Sequence, residues 1–210
     1  MIGVGGRSVV LRPGTEQDLL AMAKVHRAAY GPGHFLALLP EESLVEYYRL
    51  FLGSGSRALV ADASAAEQSS TLAGFAVFGT DIGPRIGLFK RRQRTTILRT
   101  ALAHPLVAGR KVALGLLGDG ESTPHRPATC LLLSIAVAGA RRGVGSLLLQ
   151  AMMHAAAEAG ESQLGLYVRH SNVGAVNAYL RAGFRIVASM KDQYYMEVTL
   201  YPSTPTETLR

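Results

Sequence analysis

Residues 141–146, with the sequence RRGVGS, combine two arginines with small residues at a point where two structural patterns meet. An apolar run, CLLLSIAV, precedes them, and a helical apolar pattern follows from about Gly145 to Ala159. A helix that begins at a glycine turn presents unpaired backbone N–H groups and the positive end of its dipole, which suits phosphate. The candidate phosphate-binding residues are Arg141, Arg142, Gly143, Val144, Gly145 and Ser146.

Two known phosphate-binding motifs fit this turn badly. A dinucleotide fingerprint requires a third glycine where Leu148 stands. A Walker loop requires a lysine after its glycines, and none follows here. From the turn alone, a structural corner without a ligand is the other interpretation.

A second pattern, NVGAVNAYLRAGF, follows the strand-like QLGLYVR. Its spaced residues are Asn172, Ala175, Tyr179, Gly183 and Phe184. Together with IAVAGARRGVG, it resembles the GNAT N-acetyltransferase family, whose recurring form is strand, R/Q-x-x-G-x-G/A, helix, strand and N-x-x-A-x-x-x-Y-x-x-x-G-F. The resemblance extends over about 7–200 and is specific over 132–184. It is similar to the enzymes that acetylate the N-terminal amine of a ribosomal protein, and to uncharacterised members encoded near polysaccharide-assembly enzymes.

The resemblance implies acetyl-CoA as co-substrate and specific contacts for it. The pyrophosphate of coenzyme A would bind the turn at 141–146. The pantetheine amides would pair with the backbone of Ile135, Ala136 and Val137 as a substitute strand. A backbone N–H of that strand would face the thioester oxygen and stabilise the tetrahedral intermediate.

Two side chains of the second pattern also receive roles from the resemblance. Tyr179 would protonate the departing thiolate, and a packed core tyrosine is the alternative. Asn172 would contact the coenzyme, cap the helix that follows it, or do both. The scattered histidines show no metal-ligand spacing, so no metal is predicted.

The sequence departs from the family pattern at two positions. The leading R/Q falls on Ala140, and Tyr167 stands where the alanine-acetylating relatives carry a glutamate base. Without a strong base, an α-amine or amino sugar is favoured over a lysine, because roughly a third of an α-amine but only about 0.1% of a lysine is neutral near neutral pH. The candidate bases are His34, Glu41, Glu42, Tyr167 and His170, and none is singled out.

The elements that must position these residues alternate between strand and helix patterns. Their order is strand, two helices, three strands with a helical insert, helix, strand, helix and two strands. This order predicts an α/β (α+β) protein with the GNAT fold: a mixed central sheet of six to seven strands with helices on both faces. Thr15 and Asp18 predict a capping box, and CLLLSIAV predicts a strand buried on both faces.

Composition bounds the remaining possibilities. The 210 residues are 48% hydrophobic and 18% charged, which predicts one globular domain over 1–200 and a loose tail over 201–210. The single cysteine, Cys130, excludes an internal disulfide and favours a reducing, cytoplasmic setting. The N-terminal residues lack a signal-peptide pattern, and no window is long and apolar enough for a membrane span.

The net charge of +7 comes from one segment, a basic helical insert over about 82–118 that contains no acid. Its cations are Arg85, Lys90, Arg91, Arg92, Arg94, Arg99, Arg110 and Lys111. The interpretations are a solvated face, a clamp for an anionic acceptor, a lid over the site, or a peripheral membrane contact. Nucleic acid is not favoured, because no nucleic-acid motif accompanies the charge.

These patterns together predict an acetyl-CoA-dependent N-acetyltransferase. Its acceptor would be a primary amine, on a small molecule, an amino sugar or a protein N-terminus, and the acceptor could be anionic. Another acyl group or an oxygen acceptor is the nearest enzymatic alternative. A non-catalytic acyl-CoA sensor or membrane-docked scaffold is the alternative outside enzymes. A monomer and a homodimer fit the sequence equally.

Overall fold

The computed structural model describes residues 2–4, 7–53, 55–63, 72–109, 126–139 and 141–201, with side chains from Val9 onward. The strands in these ranges are β1 Ile2–Val4, β2 Arg7–Pro13, β3 Ser56–Asp62, β4 Leu72–Gly79, β5 Cys130–Val137, β6 Gln163–Arg169, β7 Arg185–Ser189 and β8 Gln193–Thr199. The α-helices are α1 Leu19–Tyr30, α2 Glu41–Arg49, α3 Ile82–Arg92, α4 Arg94–Ala103, α5 Val144–Glu158 and α6 Val173–Arg181.

One mixed sheet contains these strands in the order β1-β2-β3-β4-β5-β6-β8-β7. Every neighbouring pair is antiparallel except β5 and β6, which run parallel. The α/β class and the mixed sheet predicted from the sequence are confirmed. The three-residue β1, which among the described strands pairs with β2 alone, adds to the seven longer strands and was not part of the prediction.

Two apolar cores cover the two faces of the sheet, which confirms the prediction of helices on both. The first contains Met22 of α1, Tyr48 of α2 and Phe75 of β4. The second contains Leu148 of α5 and Leu164 of β6. Burial of this apolar area, at about 25 cal/mol per Å², is the main force that holds the helices on the sheet.

The prediction that CLLLSIAV is buried on both faces is wrong for the strand as a whole. Along β5 buried residues alternate with half-buried ones, whereas every residue of β4 is buried. β4 lies between β3 and β5 with both cores against it, so neither of its faces reaches solvent. Leu133, one of the half-buried residues of β5, borders the cavity described below.

A capping box precedes α1, as Thr15 and Asp18 predicted. The Asp18 carboxylate accepts hydrogen bonds from the Thr15 backbone N–H at 2.8 Å and from both terminal nitrogens of Arg12 at 2.7 and 2.8 Å. The Arg12 guanidinium also donates to Asp62 of β3 at 3.0 Å. The hydrogen bonds from Arg12 lower the pKa of the Asp18 carboxyl group.

The described part of the basic insert, residues 82–109, consists of α3, α4 and a helical segment at 105–109, with a break at His104 next to Pro105. Its inner face is fixed to the domain, because Ile82 and Phe89 are buried in the first core. Arg110, Lys111 and residues 202–210 lie outside the described residues. No helix in the described part of the chain is long and apolar enough to cross a membrane.

Candidate active site

The sheet opens between β5 and β6 before either strand ends. Their parallel pairing covers only Cys130–Leu132 against Leu164–Leu166. On its other edge β5 pairs with β4, and there a bulge at Leu133 shifts the register between Val77 and Phe78. A bulge bends its strand, so β5 turns away from β6 after Leu132. The result is a gap that leaves the β6-facing edge of residues 133–137 without a strand partner among the described residues.

A cavity of about 620 Å³ lies at this gap. Its walls come from α1, α2, α3, β5, β6, β8 and α6. Ile86 of α3 is one of the lining residues, so the insert forms part of the wall. Among the described residues, the lining includes no aspartate or glutamate, and Arg169 contributes a positive charge.

Tyr179 and Asn172, the two side chains assigned from the second sequence pattern, both line the cavity. Tyr179 is buried, with its ring centroid 5.7 Å from that of Phe184, and burial raises the pKa of its phenol above the ordinary value of 10. Asn172 caps α6, because its Oδ1 accepts the backbone N–H of Ala175 at 3.3 Å. The predicted cap is therefore confirmed, and the exposed Asn172 also reaches the cavity.

The turn from Arg141 to Ser146 leads directly into α5. Gly143 caps the helix with a left-handed φ of 86°, a conformation that glycine adopts far more readily than other residues. The first intrahelical bond runs from the Leu147 N–H to the Gly143 carbonyl at 3.0 Å. The N–H groups of the three preceding residues therefore have no intrahelical acceptor.

These turn residues do not line the cavity, and neither do Ile135, Ala136 and Val137. They continue the chain from Ser134, which does line it. Arg142 is exposed, and Arg141 is half-buried. Gly145 is less constrained than Gly143, because an added Cβ would meet only Val137 at an ordinary 3.6 Å.

Of the five candidate bases, His34 and Tyr167 line the cavity, and the other three do not. Glu41 and Glu42 lie in the first turn of α2. His170 packs against Tyr194, with their ring centroids 4.1 Å apart. The cavity thus contains two of the side chains considered for proton removal.

A buried hydrogen-bond chain, which the sequence did not predict, connects α1, α2 and β5 at the cavity. His26 Nδ1 lies 2.5 Å from the Tyr48 hydroxyl, and that hydroxyl lies 3.1 Å from Ser134 Oγ. Ser134 Oγ lies 3.1 Å from the Tyr30 hydroxyl, which donates to the Ile135 carbonyl at 3.2 Å. We call His26, Tyr48, Ser134 and Tyr30 the hydroxyl chain.

The Ile135 carbonyl fixes the direction of the hydroxyl chain, because it can only accept. The Tyr30 hydroxyl donates its single proton to that carbonyl, so its oxygen must accept the hydrogen bond from Ser134. Ser134 then accepts from Tyr48, which leaves the Tyr48 oxygen to accept from His26. We therefore assign the imidazole proton of His26 to Nδ1, which leaves Nε2 without a proton.

Burial keeps His26 neutral, and it lowers the pKa of the imidazole to about 3, with a smaller contribution from nearby His34. Nε2 of His26 is buried and has no hydrogen-bond partner within the described residues. The His26 ring stacks on Tyr30 with centroids 4.4 Å apart and lies 5.4 Å from the His34 ring. Two imidazoles and a phenol therefore form one packed group at this wall of the cavity.

One signal in the sequence pointed to the hydroxyl chain. Ser134 is the only hydroxyl residue in the apolar run CLLLSIAV, and a buried hydroxyl requires a hydrogen-bond partner. The identity of the partners could not be read from it, because Tyr48 and Tyr30 lie 86 and 104 residues away.

Comparison with protein families supplies the family. The sequence profile described as "Acetyltransferase (GNAT) family" matches residues 21–184, which is most of the chain. The chain belongs to the GNAT acetyltransferase family. The resemblance seen in the sequence is thereby confirmed, and the protein is an acyltransferase of the N-acetyltransferase type.

Several solved structures have the same fold as this GNAT acetyltransferase. They include yncA from Salmonella typhimurium, solved with its cofactor acetyl-CoA, at 14% identity and a TM-score of 0.58, covering 96% of this chain and 99% of that one. The ribosomal-protein-S18-alanine N-acetyltransferase from Escherichia coli has 15% identity and a TM-score of 0.55, covering 95% and 98%. The PaiA N-acetyltransferase from Thermoplasma acidophilum, in complex with coenzyme A, has 15% identity and a TM-score of 0.53, covering 91% and 99%.

At these identities the structural neighbours establish the fold of the acetyltransferase and not its acceptor. No curated protein sequence matched the chain. The acceptor must therefore be inferred from the cavity itself.

Proposed function

We propose that the acetyltransferase moves the acetyl group of acetyl-CoA to a primary amine by direct attack of the neutral amine on the thioester. The observation that carries this proposal is the gap between β5 and β6, beside a cavity that Tyr179 lines. An extended ligand arm with amides can occupy such a gap as a substitute strand. Two of the structural neighbours were solved with acetyl-CoA or coenzyme A, which supports the same co-substrate here.

Coenzyme A would lie along β5 and across the start of α5. Its pantetheine amides would pair with the backbone of 135–137, and its pyrophosphate would accept hydrogen bonds from the N–H groups of 143–146. Arg141 and Arg142 would add positive charge beside the pyrophosphate. The predicted cytoplasmic setting, where acetyl-CoA is made and used, belongs to the same proposal.

The reaction forms a bond from the amine nitrogen to the acetyl carbon and breaks the bond from that carbon to sulfur. The Tyr179 phenol, whose raised pKa keeps it protonated at neutral pH, would donate its proton toward the departing sulfur. The amine loses one proton in the same turnover, so a group in the cavity must accept it. Net transfer of that proton to the thiol restores the enzyme.

His34 is the proton acceptor that the cavity favours. Its imidazole is half-buried and lines the cavity, and its ring centroid lies 4.7 Å from that of Tyr30. A neutral imidazole is the usual general base near neutral pH. Tyr167 also lines the cavity, but burial raises the pKa of its phenol, so even less of the basic phenolate form is present at neutral pH.

The acceptor class follows from the charges of the cavity. A protonated lysine-like amine would find no described carboxylate to pair with, whereas roughly a third of an α-amine is neutral near pH 7.4. Arg169 could pair with an anionic group on the acceptor. The proposed acceptor is therefore an α-amine or an amino sugar, with or without a carboxylate or phosphate.

The test is a thiol-release assay with acetyl-CoA and a panel of amines. The panel contains amino sugars, nucleotide-linked amino sugars, peptides with a free N-terminus, and N-terminally blocked peptides with one lysine. We expect release with α-amines or amino sugars and little with the lysine peptides. A mass increase of one acetyl group on the acceptor, after incubation with a lysate of the source cells, would identify the natural substrate.

A non-catalytic acyl-CoA-binding module is the second candidate. The observation that favours it is the absence of a carboxylate base among the described cavity residues. Tyr167 occupies the position at which a glutamate base was expected from the family pattern. Calorimetry together with the thiol-release assay distinguishes the two candidates. Acetyl-CoA binding without thiol release above background for any amine would support the binding module and contradict the enzyme.

A further inference from the structure

The insert presents an outer face whose composition is unlike that of a solvated helix. On α4, Thr100 is buried, and Ile97 and Ala101 pack against the first core. The opposite side carries Leu98 and Leu102, which are 61% and 73% exposed. Leu106, in the helical segment that follows, is 90% exposed.

Five exposed cations lie on the same insert, at the end of α3 and on α4. They are Lys90, Arg91, Arg92, Arg94 and Arg99, and none forms an ion pair with another described residue. Arg94, Leu98 and Leu102 are spaced by four residues and so lie along one side of α4. We call the five cations and three leucines the insert face.

Contacts with the rest of the domain hold the insert in this orientation, so its leucines stay on the outside. Phe89 is buried against Tyr47, with ring centroids 5.0 Å apart. Arg85, the other described cation of the insert, is bound to Asp81 and to the Leu50 carbonyl. The nearest acid in sequence is thus already paired, and the insert face has no described carboxylate of its own.

We propose that the insert face binds the surface of an anionic lipid bilayer. The leucines would enter the boundary between headgroups and acyl chains, where burial of their side chains is favourable. The cations would contact the anionic headgroups at the bilayer surface, as the basic residues of a polybasic segment do. A dissolved polyanion would use the cations but gain nothing from the leucines, which is why a lipid surface is favoured.

Docking would bring the candidate active site close to the membrane. Ile86, on the same helix α3 as three of the cations, lines the cavity. The cavity would therefore lie against one of the helices that carry the docked face. The docking proposal depends only on the insert face and does not require acetyl transfer.

The experiment measures flotation of the full-length protein with unilamellar vesicles. One set contains phosphatidylcholine alone, and the other contains equal parts of phosphatidylcholine and phosphatidylglycerol. We expect binding to the anionic vesicles that weakens as salt rises, because exposed charges are screened. The double variant Leu98→Ser/Leu102→Ser should bind at least ~10-fold less tightly, since it removes two of the three apolar contacts.

Matched controls keep the same chemical changes away from the insert. Leu180→Ser/Ile186→Ser changes two exposed apolar residues, at 45% and 44% exposure, on α6 and β7. Arg91→Gln/Arg92→Gln/Arg94→Gln should weaken binding, whereas Arg181→Gln/Arg185→Gln/Lys191→Gln, with the same loss of charge, should not. Unchanged circular dichroism and thiol-release activity without vesicles would show that each variant is folded.

Several outcomes would overturn the proposal. These are no flotation with anionic vesicles at low salt, equal binding to phosphatidylcholine alone, and unchanged binding of Leu98→Ser/Leu102→Ser. Binding to heparin that the leucine variant retains in full, without vesicle binding, would indicate a polyanion site instead. Conversion of a dimer to a monomer by the leucine variant, again without vesicle binding, would mean that a second copy covers the face.

Discussion

The phenol of Tyr179 combines burial with access to the cavity, and this sets what it can do. It is 9% exposed, and burial raises its pKa, so its proton stays in place at neutral pH. It makes no hydrogen bond that would occupy the hydroxyl within the described residues. Its proposed role is to donate toward sulfur as the carbon–sulfur bond breaks.

Replacement of Tyr179 by Phe tests this role. Tyr179→Phe should lower kcat by at least ~10-fold, because the leaving sulfur loses its donor, and should leave the Kd for acetyl-CoA nearly unchanged. Steady-state kinetics and calorimetry measure the two quantities. An unchanged kcat would make Tyr179 a packing residue.

Replacement of His34 tests the proposed proton acceptor. His34→Gln should lower kcat by ~10²-fold and should leave acetyl-CoA binding intact, because only proton removal from the amine is lost. His170→Gln is the matched control, since His170 does not line the cavity. Equal kcat values for both variants would assign the proton to another group or to water.

Residues within one short motif could be identified from the sequence, whereas residues joined by long-range contacts could not. Asn172 and Tyr179 were found because they belong to one short motif. His26 and Tyr48 were not, because the strand that they meet through Ser134 lies far along the chain and only the sheet order brings it close. Local periodicity indicates that a residue is buried, but it cannot name its hydrogen-bond partner.

At the scale of elements, the start of α5 is the proposed anchor for the pyrophosphate. Gly143 provides the left-handed cap, and the N–H groups of the first turn precede the first intrahelical bond. The helix dipole adds a positive potential at the same point. These features make the binding of coenzyme A sensitive to charge in this turn.

Reversal of the turn charges tests the anchor. Arg141→Glu/Arg142→Glu should raise the Kd for coenzyme A by at least ~10-fold, because two carboxylates would repel the pyrophosphate. Arg181→Glu/Arg185→Glu introduces the same charge change at exposed positions around the end of α6. If both variants bind coenzyme A like the parent protein in calorimetry, the pyrophosphate lies elsewhere.

Most elements followed from sequence patterns, and the opening of the sheet did not. Apolar periodicity predicted the order of the strands and helices, and Thr15 and Asp18 predicted the capping box before α1. The bulge at Leu133 has no sequence mark, since it is the last of three consecutive leucines and neither a glycine nor a proline accompanies it. Its position depends on how β5 meets β4, which is decided by packing between distant segments.

For the whole molecule, the hydroxyl chain joins the helices of one face to the central strand. It places a neutral histidine inside the first core, and this has a consequence for stability. Unfolded His26 would bind a proton below about pH 6.5, whereas the folded protein resists protonation down to a pKa of about 3. The unfolded state therefore binds more protons within this window, and folding is weakened as pH falls through it.

The free energy of unfolding should accordingly decrease from about pH 6.5 downward, with His26 contributing up to about 1.4 kcal/mol per pH unit. Urea titrations at a series of pH values measure this slope. His26→Asn, whose amide can still donate to Tyr48, should have a shallower slope, and His154→Asn, at an exposed position on α5, should not. Parallel slopes for all three proteins would show that His26 does not control acid stability.

The gap beside β5 leaves one edge of that strand uncovered in the middle of the sheet, among the described residues. Such edges readily accept another strand, and most proteins cover theirs. Here the natural cover would be the coenzyme itself, so the empty enzyme should be the form that aggregates on storage or heating. Saturating coenzyme should suppress light scattering during a thermal ramp, to a degree set by the ratio of its concentration to its Kd.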